Sequence, residues 1–138
     1  MDGYAIRGED SFGASAYDPL RLDLVGESLP GRPFPGRVRA GQAVRIMTGA
    51  PLPRGADAVV MVMGLSPRLE GEEMRGMELD GFHAGDRTNL RLPAIQQSLI
   101  RTIAAAGTPV TLVLMSGSAI SIDREQQWVP SVLQAWYG

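Results

Sequence analysis

One segment constrains the fold more than any other. Ala56 to Met63 and Val110 to Met115 are apolar runs of strand length, and a single helical pattern lies between them. Pro93 suits the first helical position, where its missing N–H costs nothing. Ile95, Leu99, Ile103 and Ala106 follow at i, i+4, i+8 and i+11, with Ile100 beside them, and form one apolar stripe. Gly107 is a natural stop and Pro109 prevents continuation. Strand, crossover helix and strand at this spacing predict a parallel pair with a right-handed crossover. Continuous apolar strands further predict cover on both sheet faces. Val132 to Tyr137 reads as a third strand, Gly117 to Ile122 as a short extended piece, and Glu125 to Trp128 as a helical turn. A long polar loop from Gly64 to Leu92 joins the first strand to the helix.

The first half has another texture. Residues 1–64 hold 10 of the 17 glycines and 6 of the 10 prolines. Leu20, Leu22 and Leu24 alternate with Arg21, Asp23 and Val25, which predicts a half-buried strand over Leu20 to Glu27. Pro30-Gly31, Pro35-Gly36 and Arg39 to Gln42 read as turns, and Ala43 to Met47 as a second strand. The expected fold is therefore α/β (α+β overall): a β-rich N-terminal half joined through a shared strand to a partial parallel β-α-β sandwich. The expected units are residues 1–63 and 64–138, or one composite domain. The strands of the second half want neighbours on both sides, so either the N-terminal strands cover an edge or two chains pair as a homodimer.

Composition removes several chemistries. The 138 residues contain no cysteine, one histidine, and 13 basic residues that are all arginine. Disulfides, thiolate metal sites, lysine Schiff bases and a P-loop lysine are excluded. A net charge of -2 with mixed signs argues against a nucleic-acid partner. The longest apolar run is too short to cross a bilayer, and the first residues lack the pattern of a secretory signal. A cytoplasmic chain with no membrane partner is the expectation.

Two stretches resemble two different families. Met1-Asp2-Gly3-Tyr4-Ala5, Gly26 to Ser28, Gly31 to Phe34, and Gly41-Gln42-Ala43-Val44-Arg45-Ile46-Met47-Thr48-Gly49-Ala50-Pro51 resemble the N-terminal β-rich part of molybdopterin molybdenumtransferases. Gly64 to Met74, Gly85-Asp86-Arg87-Thr88, Leu92 to Gln97, Val113 to Ser118 and Ala135 to Tyr137 resemble the C-terminal α/β-sandwich domain of family 3 glycoside hydrolases. The first resemblance covers residues 1–63 and the second 64–138. The join falls in an apolar strand that suits both families, so strand period and length survive across it.

Each resemblance implies its own site. The first implies transfer of molybdenum to a pterin dithiolene by a dimer, with Asp2 and Thr48 at positions that line the active site, and with Mg²⁺ if that activity is retained. The second implies a retaining two-carboxylate mechanism, with Glu70, or alternatively Glu72, as acid/base. Its nucleophile belongs to a separate barrel domain. Asp86 and Arg87 offer acceptors and a donor fork to a sugar hydroxyl, or pair with each other to fix the loop. Ser116 sits at the carboxyl end of a strand, where α/β sheets bind ligands. No resident metal or other cofactor is expected. The leading expectation is a recombinant chain without a complete active site and without catalysis. The alternatives are a residual glycoside hydrolase or sugar-binding module, and a molybdenumtransferase fragment.

Overall fold

The computed structural model describes residues 3–15, 17–66, 78–79, 81–83 and 86–136. Its main body is a six-stranded mixed sheet of order β2-β3-β1-β4-β8-β9. The strands are β1 (Gly3–Ile6), β2 (Asp23–Ser28), β3 (Gln42–Ile46), β4 (Ala58–Gly64), β8 (Val110–Ser116) and β9 (Ser131–Trp136). Between β4 and β8 lie a small three-stranded sheet, β5 (Glu78–Leu79), β6 (Phe82–His83) and β7 (Asp86–Arg87), and the helix α1 (Ala94–Ala105). Short 3₁₀ turns occupy Gly8–Ser11 and Glu125–Gln127. The fold is mixed α/β, as the sequence predicts.

The predicted crossover is present. β4 pairs parallel to β8, from Val59 opposite Val110 to Gly64 opposite Met115, and β8 pairs parallel to β9. Pro93 flanks α1 in extended conformation with no side-chain cap, and Gly107 follows its end at φ +78°. That φ suits glycine because it has no Cβ to clash.

The N-terminal strands cover one edge of this unit. β1 pairs antiparallel to both β3 and β4, with Ala5 opposite Val44 on one side and Val59 on the other. β2 then adds parallel to β3, with a bulge between Leu24 and Gly26. All strands of the sheet except β1 therefore run in one direction, and β4 itself spans the predicted boundary at residues 63 and 64.

One face of the sheet is closed. Val59, Met61, Met63, Val110, Leu112 and Leu114 pack with Ile100 of α1, Leu92 and Val129 into the principal core. Full burial of a side chain such as Ile100 contributes about 1.5–3 kcal/mol.

Three expectations are corrected. β4 and β8 alternate between buried and less buried residues, so a single face is fully covered rather than two. The apolar side chains of Val60, Val62 and Val113 made the runs look continuous. β2 begins at Asp23, not Leu20, and Leu20 and Leu24 are 46% and 58% exposed. Residues 117–122 form no strand, and their ladder contact is the isolated bridge from Arg91 to Ser121.

Candidate functional site

Because the neighbouring strands run the same way, their carboxyl ends gather at one edge. β3 leads into Thr48, β4 into Gly64-Leu65-Ser66, and β8 into Ser116-Gly117-Ser118. The first turn of α1 returns to the same edge, as a crossover helix must. A crevice of about 430 Å³ opens there, lined by Thr48, Gly64, Ser66, Ile95, Gln96 and Met115 among others. Carboxyl ends of parallel strands are the usual ligand-binding edge of such sheets. A second, more apolar hollow of about 410 Å³ shares Thr48 and Leu99 with it and continues along α1 past Ile46, Leu52 and Ile103.

The Thr48 turn is held from below. Ser28 is fully buried, and its hydroxyl donates to the Pro51 carbonyl at 3.0 Å. The Met47 N–H donates to the Ser28 carbonyl at 3.1 Å, and the Ala50 N–H donates to the Met47 carbonyl at 2.9 Å. Gly49 completes the turn at φ +82°. Thr48 itself is exposed at the rim.

The opposite wall depends on one amide. Gln96 accepts from the Gly64 N–H at 2.9 Å and donates to the Gly64 carbonyl at 2.8 Å. Its side chain thus imitates a neighbouring strand and joins α1 to the end of β4. A Gln96→Leu variant loses both bonds and leaves part-buried backbone groups unpaired. Its expected cost is about 2 kcal/mol, read as a lower urea midpoint at unchanged slope.

The predicted site residues are distributed unevenly. Asp2, Glu70 and Glu72 lie outside the described residues. Thr48 lines the crevice. Ser116 is fully buried; its hydroxyl donates to the Ser118 carbonyl at 2.8 Å and accepts from Gln134 at 3.2 Å. That hydroxyl is engaged inside the fold. Arg87 donates to the carbonyls of Asn89, Ala119 and Arg91 at 3.2, 2.8 and 3.0 Å, and to the Ser118 hydroxyl at 3.2 Å. Its guanidinium also lies 5.9 Å from the Phe82 ring centre. These contacts fasten β7 to the loop after β8, whereas Asp86 is exposed.

Two charged residues stand out that sequence pattern does not flag. Glu125 is 2% exposed at the start of its 3₁₀ turn. Arg45 has a buried Nε with no hydrogen-bond partner among the described residues. Arg45 lies within the Gly41 to Pro51 stretch, but nothing in that stretch marks it as buried, and Glu125 belongs to no motif. Elsewhere on this surface, the Ser121 hydroxyl donates to Asp123 at 2.8 Å and, with Arg91 nearby, holds that carboxyl below the usual range.

Of the two positions that the first resemblance places at the active site, Asp2 lies outside the described residues. Thr48 is one neutral donor, and no group of three or more His, Cys, Asp or Glu side chains converges among the described residues. Hard cations want several oxygen ligands, and Thr48 by itself supplies one. Among the described residues no helix is long and apolar enough to cross a membrane.

The mixed sheet, its crossover helix and the crevice at the strand ends define an α/β domain with an open edge site. Residues 1–122 match the family described as the MoeA N-terminal region, domains I and II, and the chain belongs to that family. It is 32% identical to a molybdopterin molybdenumtransferase of Staphylococcus epidermidis, over 96% of this chain and 36% of that protein. It is 40% identical over 84 residues to a xylan 1,4-beta-xylosidase of Xylanibacter ruminicola, over 61% of this chain and 10% of that protein. The crystal structure of the molybdopterin biosynthesis MoeA protein from Pyrococcus horikoshii aligns with all of this chain and 45% of that one, at 21% identity and a TM-score of 0.42. The chain thus spans about a third of the transferase and a tenth of the xylosidase.

Proposed function

We propose that the chain is a recombinant, in which a molybdenumtransferase-type N-terminal segment (residues 1–63) runs through β4 into a family 3 glycoside hydrolase-type segment (residues 64–138). We further propose that by itself it turns over neither parental substrate. The observation that carries this reading is the double similarity, to a transferase along nearly the whole chain and more strongly to a xylosidase along part of it. The continuous sheet supports it, because strands from both segments pair through β1 and β4 and the join falls within a regular strand. Molybdenum cofactor biosynthesis and β-glycoside hydrolysis are the parental activities. Each uses groups beyond those at the crevice: retaining hydrolysis needs two carboxyl groups about 5–5.5 Å apart. In this reading Thr48 is a remnant of the transferase site and Glu70, or Glu72, of the acid/base position. Arg87 and Ser116 act in the fold rather than on a sugar, and exposed Asp86 is a remnant of the sugar-binding position. The chain works in the cytoplasm without nucleic acid or membrane.

Hydrolysis of aryl β-xyloside and aryl β-glucoside by the purified chain tests the proposal. Release of the aryl alcohol at the buffer rate, unchanged by Glu70→Gln, is the expected result. Turnover above buffer that Glu70→Gln removes overturns it in favour of a glycoside hydrolase. A saturable change in tryptophan fluorescence with xylose or glucose, reported by exposed Trp136 and half-buried Trp128, overturns it in favour of a sugar-binding module.

A further inference from the structure

The face of the sheet opposite α1 carries a charged side chain with a buried donor that finds no partner among the described residues. Arg45 of β3 lies in register with Glu27 of β2 and Tyr4 of β1. Its Nε is buried and makes no hydrogen bond among the described residues. Its natural cross-strand partner is already taken, because Glu27 accepts from Arg32 at 2.8 Å. No ion pair among the described residues includes Arg45. A buried donor left unpaired costs its full desolvation, so such an atom points to an acceptor supplied from elsewhere.

The surroundings leave room for one. The bulge between Leu24 and Gly26 breaks the regular β2–β3 ladder. There a hollow of about 370 Å³ opens, lined by Leu24, Val25, Gly26, Glu27 and Arg45. Gly26 brings no side chain to its lining. Glu27 and Arg32 neutralise each other, which leaves the local balance at one positive charge, that of Arg45.

We propose that this hollow is an oxyanion site, in which the Arg45 guanidinium holds a small carboxylate- or phosphate-bearing molecule. A guanidinium presents Nε–H and an adjacent Nη–H as a planar fork that matches two oxygens of either group. Lysine at this position keeps the charge but loses the fork. The site lies on the opposite sheet face from α1 and is independent of the crevice and of its proposed history.

Titration with inorganic phosphate, and separately with acetate, tests it. The readout is the Nε–H resonance of Arg45, assigned by its loss in Arg45→Lys. The expected result is a saturable shift with at least one anion at low salt. Backbone amides of Val25 and Gly26 report about tenfold weaker binding in Arg45→Lys and several-fold tighter binding in Glu27→Gln, which removes a competing charge. Tighter phosphate than acetate identifies a tetrahedral ligand, and the reverse identifies a carboxylate. Three outcomes overturn the proposal: no shift, a non-saturating shift shared with exposed Arg101, or equal affinity in Arg45→Lys. Thermal melts give a second reading that does not depend on the variant's resonances. Phosphate raises the wild-type midpoint but not that of Arg45→Met, and an equal rise in both also overturns the site.

Discussion

A Gly64→Ala chain fails to build the native sheet. Gly64 ends β4 at φ +138°, a conformation in which an L side chain is strained. Space is as forbidding as the torsion. An ideal Cβ would overlap the Met115 carbonyl oxygen and stand 2.7 Å from its carbon and 2.9 Å from the Met115 nitrogen. Those atoms cannot withdraw cheaply, because the Met115 carbonyl accepts the Leu65 N–H at 3.0 Å. Moving it breaks the last rungs of the β4–β8 ladder and the Gln96 clasp together. The expected loss is at least about 3 kcal/mol, a large share of a stability of about 5–15 kcal/mol. Urea denaturation followed by circular dichroism reads it as a low midpoint or as no folded baseline. Gly107→Ala is the matching control. Gly107 also has positive φ, but nothing lies within 4 Å of its Cβ position, so the expected loss is only about 1–2 kcal/mol. Equal losses in the two variants would show that torsion alone matters at the end of β4 and would sink the steric account.

Gly64 also marks how much of this molecule was legible beforehand. The crossover could be read because each part leaves a local signature: two apolar runs, a helical stripe, and Pro93 and Gly107 as its punctuation. β1 left none. It has four residues, and both its partners are distant in sequence. The Leu20, Leu22 and Leu24 alternation is real but serves another purpose. These residues line an open hollow with Tyr4 and Ile6, with Leu24 inside β2 and Leu20 and Leu22 ahead of it. Apolar period marks one face of a segment and cannot say whether that face is paired in a sheet or left half exposed beside it. The same blindness affected β4 and β8, where valines on the open face read like valines in a core.

The candidate site was legible in its place but not in its wiring. A crevice at the carboxyl ends of parallel strands follows from the topology; the residue the sequence placed at that edge, Ser116, is buried, and Thr48, named by resemblance alone, lines it. Arg87 illustrates what was not accessible. One of its contacts, at 2.8 Å, is with the carbonyl of Ala119, 32 residues away. A bond from a side chain to a distant backbone imposes no requirement on the identity of the partner residue. Arg45 and Glu125 escaped for the converse reason: burial of a single charged residue disturbs no pattern.

Ile100→Ala has the second large effect, and it separates two readings of α1. Sequence periodicity centres the apolar stripe on Ile95, Leu99, Ile103 and Ala106. The structure turns the helix so that Ile100 alone is fully buried, with Leu99 and Ile103 packed at its sides, while Ile95 is 78% exposed at the crevice. Truncating Ile100 removes the one fully buried side chain of α1 from the core it shares with β4 and β8, and it leaves a void. Such changes cost about 2–5 kcal/mol, depending on how far the site collapses. This site collapses little, because Gln96 ties the first turn of the helix to Gly64 and holds it at its present height over the sheet. The upper half of that range is therefore expected, read as a lower urea midpoint with unchanged slope. Ile95→Ala leaves stability within about 0.5 kcal/mol. If the two variants lose equal stability, α1 sits as its stripe implies and not as the structure has it. The crevice would then be walled differently, because Ile95 would lie beneath the helix instead of on its rim.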